Sequence, residues 1–124
     1  MEKKRVVHYI NNFFAGIGGE EKADIPPECR PGTVGPGLAL QTALGDDYEV
    51  VATVICGDSY FGENLAAATE TLLGMIADQK ADAFVAGPAF NAGRYGVACG
   101  SIAKAVEEKF NIPVITGMYH KNTD

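Results

Sequence analysis

The residues in this sequence that could do chemistry come directly after segments typical of β-strands. Asn11 follows the first such segment, Cys56 the second and Arg94 the third. The carboxyl ends of parallel strands meet at one edge of a sheet, so we expect these side chains to lie near one another. Arg94 is the only lysine or arginine in these strand-end segments, and its guanidinium could bind a carboxylate or phosphate through two hydrogen bonds. The sequence therefore predicts a site for a small anionic ligand.

The predicted substrate-binding residues all belong to these strand-end segments. They are Asn11, Gly18, Cys56, Asp58, Ser59, Asn91, Arg94 and Tyr95. Structural roles compete with binding at several of these positions. Arg94 could form an ion pair with Asp58, and Asn91 could cap a helix. Asp58 and Ser59 could be turn residues before a helix. Both interpretations stay open at this point.

Cys56 is a weak candidate for a catalytic residue. A thiolate after a buried strand could meet backbone N–H groups or a helix start, which lower a thiol pKa. However, an isolated cysteine is more often a small buried apolar residue. Cys99 lies inside a predicted helix and Cys29 in a proline-rich loop, so structural roles are favoured for both. The three cysteines and two histidines form no zinc-binding spacing, and no metal site is predicted.

Composition restricts the classes of function. The chain has 124 residues, which suits a single domain over residues 1–124, and a formal net charge of −6. No lysine or arginine occurs between Pro31 and Gln79, so neither a nucleic acid nor an anionic membrane is expected as a partner. No run approaches the roughly 20 apolar residues of a membrane span. The odd number of separated cysteines favours a reducing compartment, and we expect the protein to be cytoplasmic.

Common ligand-binding and hydrolase motifs are incomplete. Gly16 and Gly18 begin a G-x-G-x-x-G pattern, but Glu21 occupies its last position. The sequence contains no Gly-Lys dipeptide of a P-loop and no G-x-S-x-G elbow. These absences argue against a dinucleotide site, a P-loop nucleotide site and the usual serine hydrolase.

Strands and helices are predicted to alternate along the chain. The predicted strands are 5–10, 48–55, 83–86 and 112–116, and the predicted helices are 38–44, 63–80 and 93–110. This order favours an α/β fold of three layers, with a parallel four-stranded sheet and helices on its faces, as in half of a Rossmann-like or flavodoxin-like domain. Residues 11–36 are rich in glycine and proline and predict a long loop after the first strand.

Three long motifs resemble the amino-terminal part of selenoprotein B. They are His8–Asp24, Val54–Phe61 and Ala86–Cys99. They occur in the family's order, and the resemblance covers residues 6–119. Selenoprotein B is the substrate-specific component of the glycine, sarcosine and betaine reductases of amino-acid-fermenting anaerobes. The motifs do not discriminate among these three substrates.

The resemblance implies a part in an oxidoreductase complex that deaminates a small amino acid reductively toward acetyl phosphate. In that family a selenocysteine displaces the amine of the substrate, which for glycine is activated by a pyruvoyl-bearing subunit. The product passes to selenoprotein A, and a further component releases acetyl phosphate. The family's selenocysteine lies beyond the matched stretch. The resemblance therefore implies an amino-terminal part of a longer protein, without a cofactor of its own and inactive alone.

Two other functions stay open. In the first, the chain is a non-catalytic interaction module whose loop at residues 11–36 and glycine-rich helix pack against the rest of a longer protein or another subunit. Its exposed apolar side chains would include Phe13, Phe14, Ile17 and Ile25. In the second, the chain is a thiol enzyme that uses Cys56 together with Cys99, a less favoured interpretation. A homo-oligomer is a separate arrangement that the sequence leaves open.

Overall fold

A computed structural model describes the protein at residues 3–11, 15–16, 25–35, 37–90 and 93–119. Its elements in chain order are β1 (Lys4–Asn11), β2 (Glu28–Pro31), α1 (Gly37–Leu44), β3 (Tyr48–Cys56), α2 (Asp58–Glu63), α3 (Leu65–Asp78), β4 (Ala83–Phe90), α4 (Gly93–Phe110) and β5 (Val114–Tyr119). Within these described residues, no helix is long and apolar enough to cross a membrane.

The strands form one five-stranded sheet in the order β2-β3-β1-β4-β5. β1, β3, β4 and β5 are parallel, whereas β2 is antiparallel to β3. The predicted α/β class is confirmed, and the four predicted strands are parallel. The sheet has five strands rather than the predicted four, because β2 adds an antiparallel edge strand. From β1 the chain adds β3 on one side and then β4 and β5 on the other. The direction of strand order therefore reverses at β1.

β2 corrects the prediction that residues 11–36 contain no secondary structure. Its four residues read Glu-Cys-Arg-Pro and are half-buried or exposed, so they show no apolar alternation that could predict a strand. Backbone pairing with β3 holds them instead. Beyond the strand, Gly32 N–H donates to the carbonyl of Val51 at 2.9 Å, and the Thr53 hydroxyl donates to the Gly32 carbonyl at 2.8 Å.

Alternate residues of β1 enter two separate clusters, so the described domain has three layers. Val7 and Tyr9 belong to the large cluster, which α3 and α4 complete with Ala68, Leu72, Ile76, Cys99, Ile102 and Val106. Val6 belongs to a smaller cluster with Val50 and Val85, against which Leu40 and Leu44 of α1 pack. We call the side of the sheet that bears α1 the α1 face. Gln41 anchors this helix, since its side-chain amide donates to the Tyr48 carbonyl and accepts from Val50 N–H.

The predicted helix at 63–80 is two helices in the structure. α2 begins at Asp58, directly after the extended residue Gly57, and α3 begins at Leu65. Asn64 separates them with φ −129° and ψ 43°, while its backbone N–H still donates to the Tyr60 carbonyl. Asp58 and Ser59 are thus helical residues rather than the predicted turn. Ala68, Leu72 and Ile76 of α3 are buried, as their spacing predicted.

β4 continues to Phe90, whereas the sequence predicted an end at Ala86. Gly87 has a φ of +120°, a conformation that glycine tolerates. The register with β5 shifts between Ala86 and Ala89. Pro88, which has no N–H for a ladder, falls inside this irregularity, where proline is tolerated. The Gly-Pro pair therefore bends the strand without ending it.

The His8 ring holds the irregular part of β4. It is 1% exposed, and its Nε2 is hydrogen-bonded to the Gly87 carbonyl. Nδ1 has no hydrogen-bond partner among the residues that the structure describes. The start of α1 covers the ring, because a Cβ added at Gly37 would lie 3.4 Å from Nδ1. Burial lowers the pKa of His8, and the hydrogen bond to Gly87 opposes this shift only in part. The neutral ring donates Nε2–H to the carbonyl.

We expect Gly45→Ala and Gly74→Ala to change stability in opposite directions. Gly45 follows α1 with φ +82°, a left-handed conformation that costs alanine about 1 kcal/mol. Gly74 lies inside α3, where an added Cβ would meet nothing within 4 Å. Alanine there should raise the free energy of unfolding by roughly 0.5–1 kcal/mol, since glycine weakens a helix interior. Urea unfolding measures both changes, and two shifts of the same sign would contradict these expectations.

We expect His8 to make the protein less stable in acid. In the unfolded chain the imidazole takes up a proton near its ordinary pKa of 6.5, whereas burial lowers the pKa in the folded chain. Unfolding is therefore coupled to proton uptake, and stability falls as the pH drops from 6.5 toward the lower folded value. Urea unfolding between about pH 7 and 5 should show a shallower decline for His8→Gln than for the parent chain.

His120→Gln provides the matched control for this experiment. His120 is the only other histidine in the sequence, so its replacement measures the effect of losing a histidine other than the buried one. A decline made equally shallow by His8→Gln and His120→Gln would show that the effect is not specific to the buried ring. Equal slopes for the parent chain and His8→Gln would show that the buried ring does not resist protonation.

Candidate functional site

The carboxyl ends of β1 and β3 bring two of the predicted site residues together. Asn11, the last residue of β1, is the register partner of Cys56, the last residue of β3. Both side chains are buried. Cys56 belongs to the large cluster, and register partners share a face, so both lie on the side of the sheet that bears α3 and α4. The sequence correctly predicted this proximity.

β1 and β4 separate before their carboxyl ends. Their ladder joins Val6–Tyr9 to Ala83–Ala86 and stops there. Beyond it, β1 continues to Asn11 beside β3, and β4 continues to Phe90 beside β5. We call the region beyond the end of this ladder, between the carboxyl ends of β1 and β4, the β1–β4 crevice. It lies where the direction of strand order reverses, which is the usual ligand-binding position in open α/β sheets.

Two helices begin beside this crevice. α2 starts at Asp58, immediately after β3, and α4 starts at Gly93, shortly after β4. The two helices pack against each other. Their first turns contain Asp58 and Ser59 in α2, and Arg94 and Tyr95 in α4. The backbone therefore brings these predicted residues to the edge that holds Asn11 and Cys56.

The amino terminus of α4 is suited to an anion. Its first turn contains no acidic residue, and a helix amino terminus carries a partial positive charge. Arg94 adds a formal charge in the same turn. An ion pair between Arg94 and Asp58, predicted as the alternative to ligand binding, stays a prediction.

The surroundings of Cys56 favour a structural role for this residue. Its side chain is fully buried, and Sγ lies 3.5 Å from the Gly57 carbonyl oxygen and 3.9 Å from that of Ile25. The single thiol hydrogen lies within reach of these carbonyl oxygens, an environment typical of a buried structural cysteine. Cys99 is also fully buried. The catalytic assignment of Cys56 stays a prediction that these contacts do not support.

Cys29 is the most exposed of the three thiols, yet its surroundings disfavour ionisation. Burial raises the pKa of its thiol, and the charge of Asp78 raises it further. The Gln79 amide lies 3.9 Å from its sulfur. The thiol is therefore protonated at neutral pH and is a poor nucleophile.

Several sequence predictions fall outside the described residues. Gly18 and Asn91 are among them, as are Phe13, Phe14 and Ile17 of the expected apolar patch. The remaining member of that patch, Ile25, is half-buried, and its carbonyl accepts from Gly57 N–H at 3.1 Å. In the parts of the chain that the structure describes, no three His, Cys, Asp or Glu side chains could hold a metal ion together.

Sequence reasoning missed two polar residues that shape the crevice. His8 fixes the Gly87 carbonyl at its margin. Tyr9 packs against Phe61 of α2, with ring centroids 6.3 Å apart and planes tilted by 59°, so it holds α2 against β1. A signal was present, because a histidine inside the apolar run Val6–Ile10 must either be buried with a partner or interrupt the strand.

Comparisons with known proteins agree on one family. Residues 3–124 match the family model of glycine/sarcosine/betaine reductase selenoprotein B. The chain is 73% identical over 122 residues to the sarcosine reductase complex component B subunit beta of Peptoclostridium acidaminophilum. It is 62% identical over 118 residues to the glycine reductase complex component B subunit gamma of Symbiobacterium thermophilum. It is 47% identical over 119 residues to the betaine reductase complex component B subunit beta of P. acidaminophilum.

These alignments cover 98%, 95% and 96% of this chain but only 28%, 28% and 27% of the respective relatives. The chain thus spans little more than a quarter of the length of the curated relatives that it matches. No solved structure matches it significantly. The resemblance seen in the three sequence motifs is confirmed by the match over nearly the whole chain. The chain belongs to the glycine/sarcosine/betaine reductase selenoprotein B family.

Proposed function

We propose that this chain supplies part of the substrate pocket in component B of a glycine, sarcosine or betaine reductase. The observation that carries the proposal is the meeting of the ends of β1 and β3 with the starts of α2 and α4 at one edge, beside the β1–β4 crevice. The complete component would take part in the reductive deamination of a small amino acid toward acetyl phosphate.

The proposed ligands dictate what the pocket must provide. Glycine, sarcosine and betaine share a carboxylate and a cationic nitrogen, and they differ in the number of methyl groups on that nitrogen. In our proposal the carboxylate binds Arg94 and the amino terminus of α4, because a guanidinium and a helix amino terminus both favour anions. Asp58, in the neighbouring helix, balances the charge of the nitrogen.

Asn11 and Cys56 form the base of the proposed pocket. Their burial and their pairing across β1 and β3 make this base rigid, so a ligand above it would lose little binding energy to rearrangement of the strands. Gly18, Ser59, Asn91 and Tyr95 complete the proposed binding set.

The proposed role is binding rather than bond cleavage. The family's selenocysteine and pyruvoyl group would supply the nucleophile and the activation of the amine. Neither belongs to these 124 residues, whose only chalcogen nucleophile candidates are cysteines. The buried Cys56 thiol, which lies within reach of carbonyl oxygens, is a poor substitute for such a nucleophile. The chain's own residues would hold and orient the substrate.

The finer features belong to the same proposal. We assign the four parallel strands to a Rossmann-like or flavodoxin-like half-domain, which the strand order around β1 supports. We place the protein in the cytoplasm. Its proposed partners are a pyruvoyl-bearing subunit, selenoprotein A and the component that forms acetyl phosphate, since the relatives are named as components of reductase complexes. Sarcosine is the first ligand to test, because the sarcosine-type relative is 73% identical and the betaine-type relative 47%.

We expect Arg94→Ala to weaken amino-acid binding by about tenfold or more, since a hydrogen-bonded charge pair is lost. Titration calorimetry of the 124-residue chain with sarcosine, glycine and betaine provides the measurement. Arg94→Lys should retain part of the affinity, because the charge remains while the two-bond geometry is lost.

Lys104→Ala is the matched control, as it removes an exposed cation from the same helix. It should leave binding unchanged. If none of the three amino acids binds to a chain shown by circular dichroism to be folded, the pocket assignment is wrong. Equal losses for the Arg94 and Lys104 variants would instead indicate a general electrostatic effect.

A further inference from the structure

The α1 face of the sheet is covered over one half only. α1 packs against β3 and shares a cluster with Val6 and Val50. On the β5 side of this face, Val85 of β4 is the register partner of Ile115 of β5. Val85 is 6% exposed, whereas Ile115 is 56% exposed. Among the described residues, no helix lies over Ile115 on this face.

This exposure is unusual for the kind of strand that carries it. All-parallel sheets occur almost only with both faces covered, and here only the edge strand β2, on the far side from β5, is antiparallel. The opposite face of β5 follows that rule, since Val114 packs against the large cluster. β5 is also the last strand of the described sheet, so its outer edge is available for pairing. A β-branched apolar side chain at such a position is typical of a surface that becomes buried.

We propose that Ile115, Val85 and the outer edge of β5, together called the β5 surface, pack against the polypeptide that makes up the rest of component B in the longer family proteins. The matched segment is 28% of the sarcosine-type relative, so more than two thirds of that protein is available to cover this surface. A tethered segment also acts at a high effective concentration. A small apolar contact around Ile115 is then enough to hold the tethered segment against the β5 surface.

A second copy of the chain is the weaker alternative. A stable interface buries roughly 800 Å² on each partner, whereas the described side chains on this surface include one exposed large apolar residue. The β5 surface also lies on the α1 face, apart from the Asn11–Cys56 end of the proposed pocket. The inference therefore goes beyond the proposed function and can fail independently of it.

The test compares one substitution in two settings. The first is the 124-residue chain, and the second is a chimera in which this chain replaces the matching segment of the sarcosine-type relative. Ile115→Glu should change the Tm of the chain alone by less than about 3 °C, because the side chain is exposed there. In the chimera it should lower the Tm by about 5 °C or more, because a charge would be buried.

Two further variants make the comparison decisive. Ile115→Thr keeps a β-branched residue and introduces no charge. If the Ile115→Glu chimera does not fold, this variant should show a smaller difference in Tm change between the two settings. Leu65→Glu is the matched control, since Leu65 is 51% exposed in α3 on the other side of the sheet. Its effect should be the same in both settings.

Equal Tm changes for the Ile115 variants in the two settings would overturn the proposal. The proposal would also be overturned if Leu65→Glu lowered the Tm of the chimera, relative to the chain alone, by as much as Ile115→Glu does. The effect would then not be specific to the β5 surface. Sedimentation showing a dimer of the parent chain that Ile115→Glu converts to monomer would assign the surface to a second copy instead.

Discussion

The early end of the ladder between β1 and β4 is the constraint on which the carboxyl edge of this domain depends. Gly87 adopts a φ of +120°, Pro88 lacks an N–H, and the His8 ring provides a donor for the Gly87 carbonyl. Because a buried neutral imidazole supplies this hydrogen bond, β4 can leave β1 without an uncompensated polar group at Gly87. The β1–β4 crevice follows directly from this arrangement.

The packing around β1 positions the elements that border this crevice. Val6 through Asn11 are all buried, so the strand is fixed on both faces. The Tyr9–Phe61 contact and the packing of α2 on α4 hold the two helix starts beside the strand ends. The proposed pocket would benefit from such packing. A small zwitterion makes few contacts, so little of its binding free energy can offset the cost of ordering the protein. The binding role that we propose rests on this geometry together with family membership.

The sequence predicts the parts of the fold that rest on periodicity. The apolar run of β3 predicted a buried strand, and the spacing of Ala68, Leu72 and Ile76 predicted a helix. The parallel topology then implied that Asn11 and Cys56 are neighbours. β2 was missed because backbone pairing, rather than apolar side chains, forms it. The extension of β4 was missed because a Gly-Pro pair usually marks the end of a strand. Here His8, which is distant in the sequence, stabilises the strand at this pair. Long-range contacts of this kind leave little signal in local sequence.

Placing the first strand at the centre of the sheet has a kinetic consequence. β1 pairs with β3 and β4, which are much later in the chain, and the bond from Arg5 N–H to the Asp82 carboxylate spans 77 residues. Such high contact order slows folding, because long loops must close before core contacts form. During synthesis the apolar segment around Val7 emerges before β3 and β4, with which it pairs. A largely buried apolar strand is thus exposed to aggregation until these later strands have been synthesised.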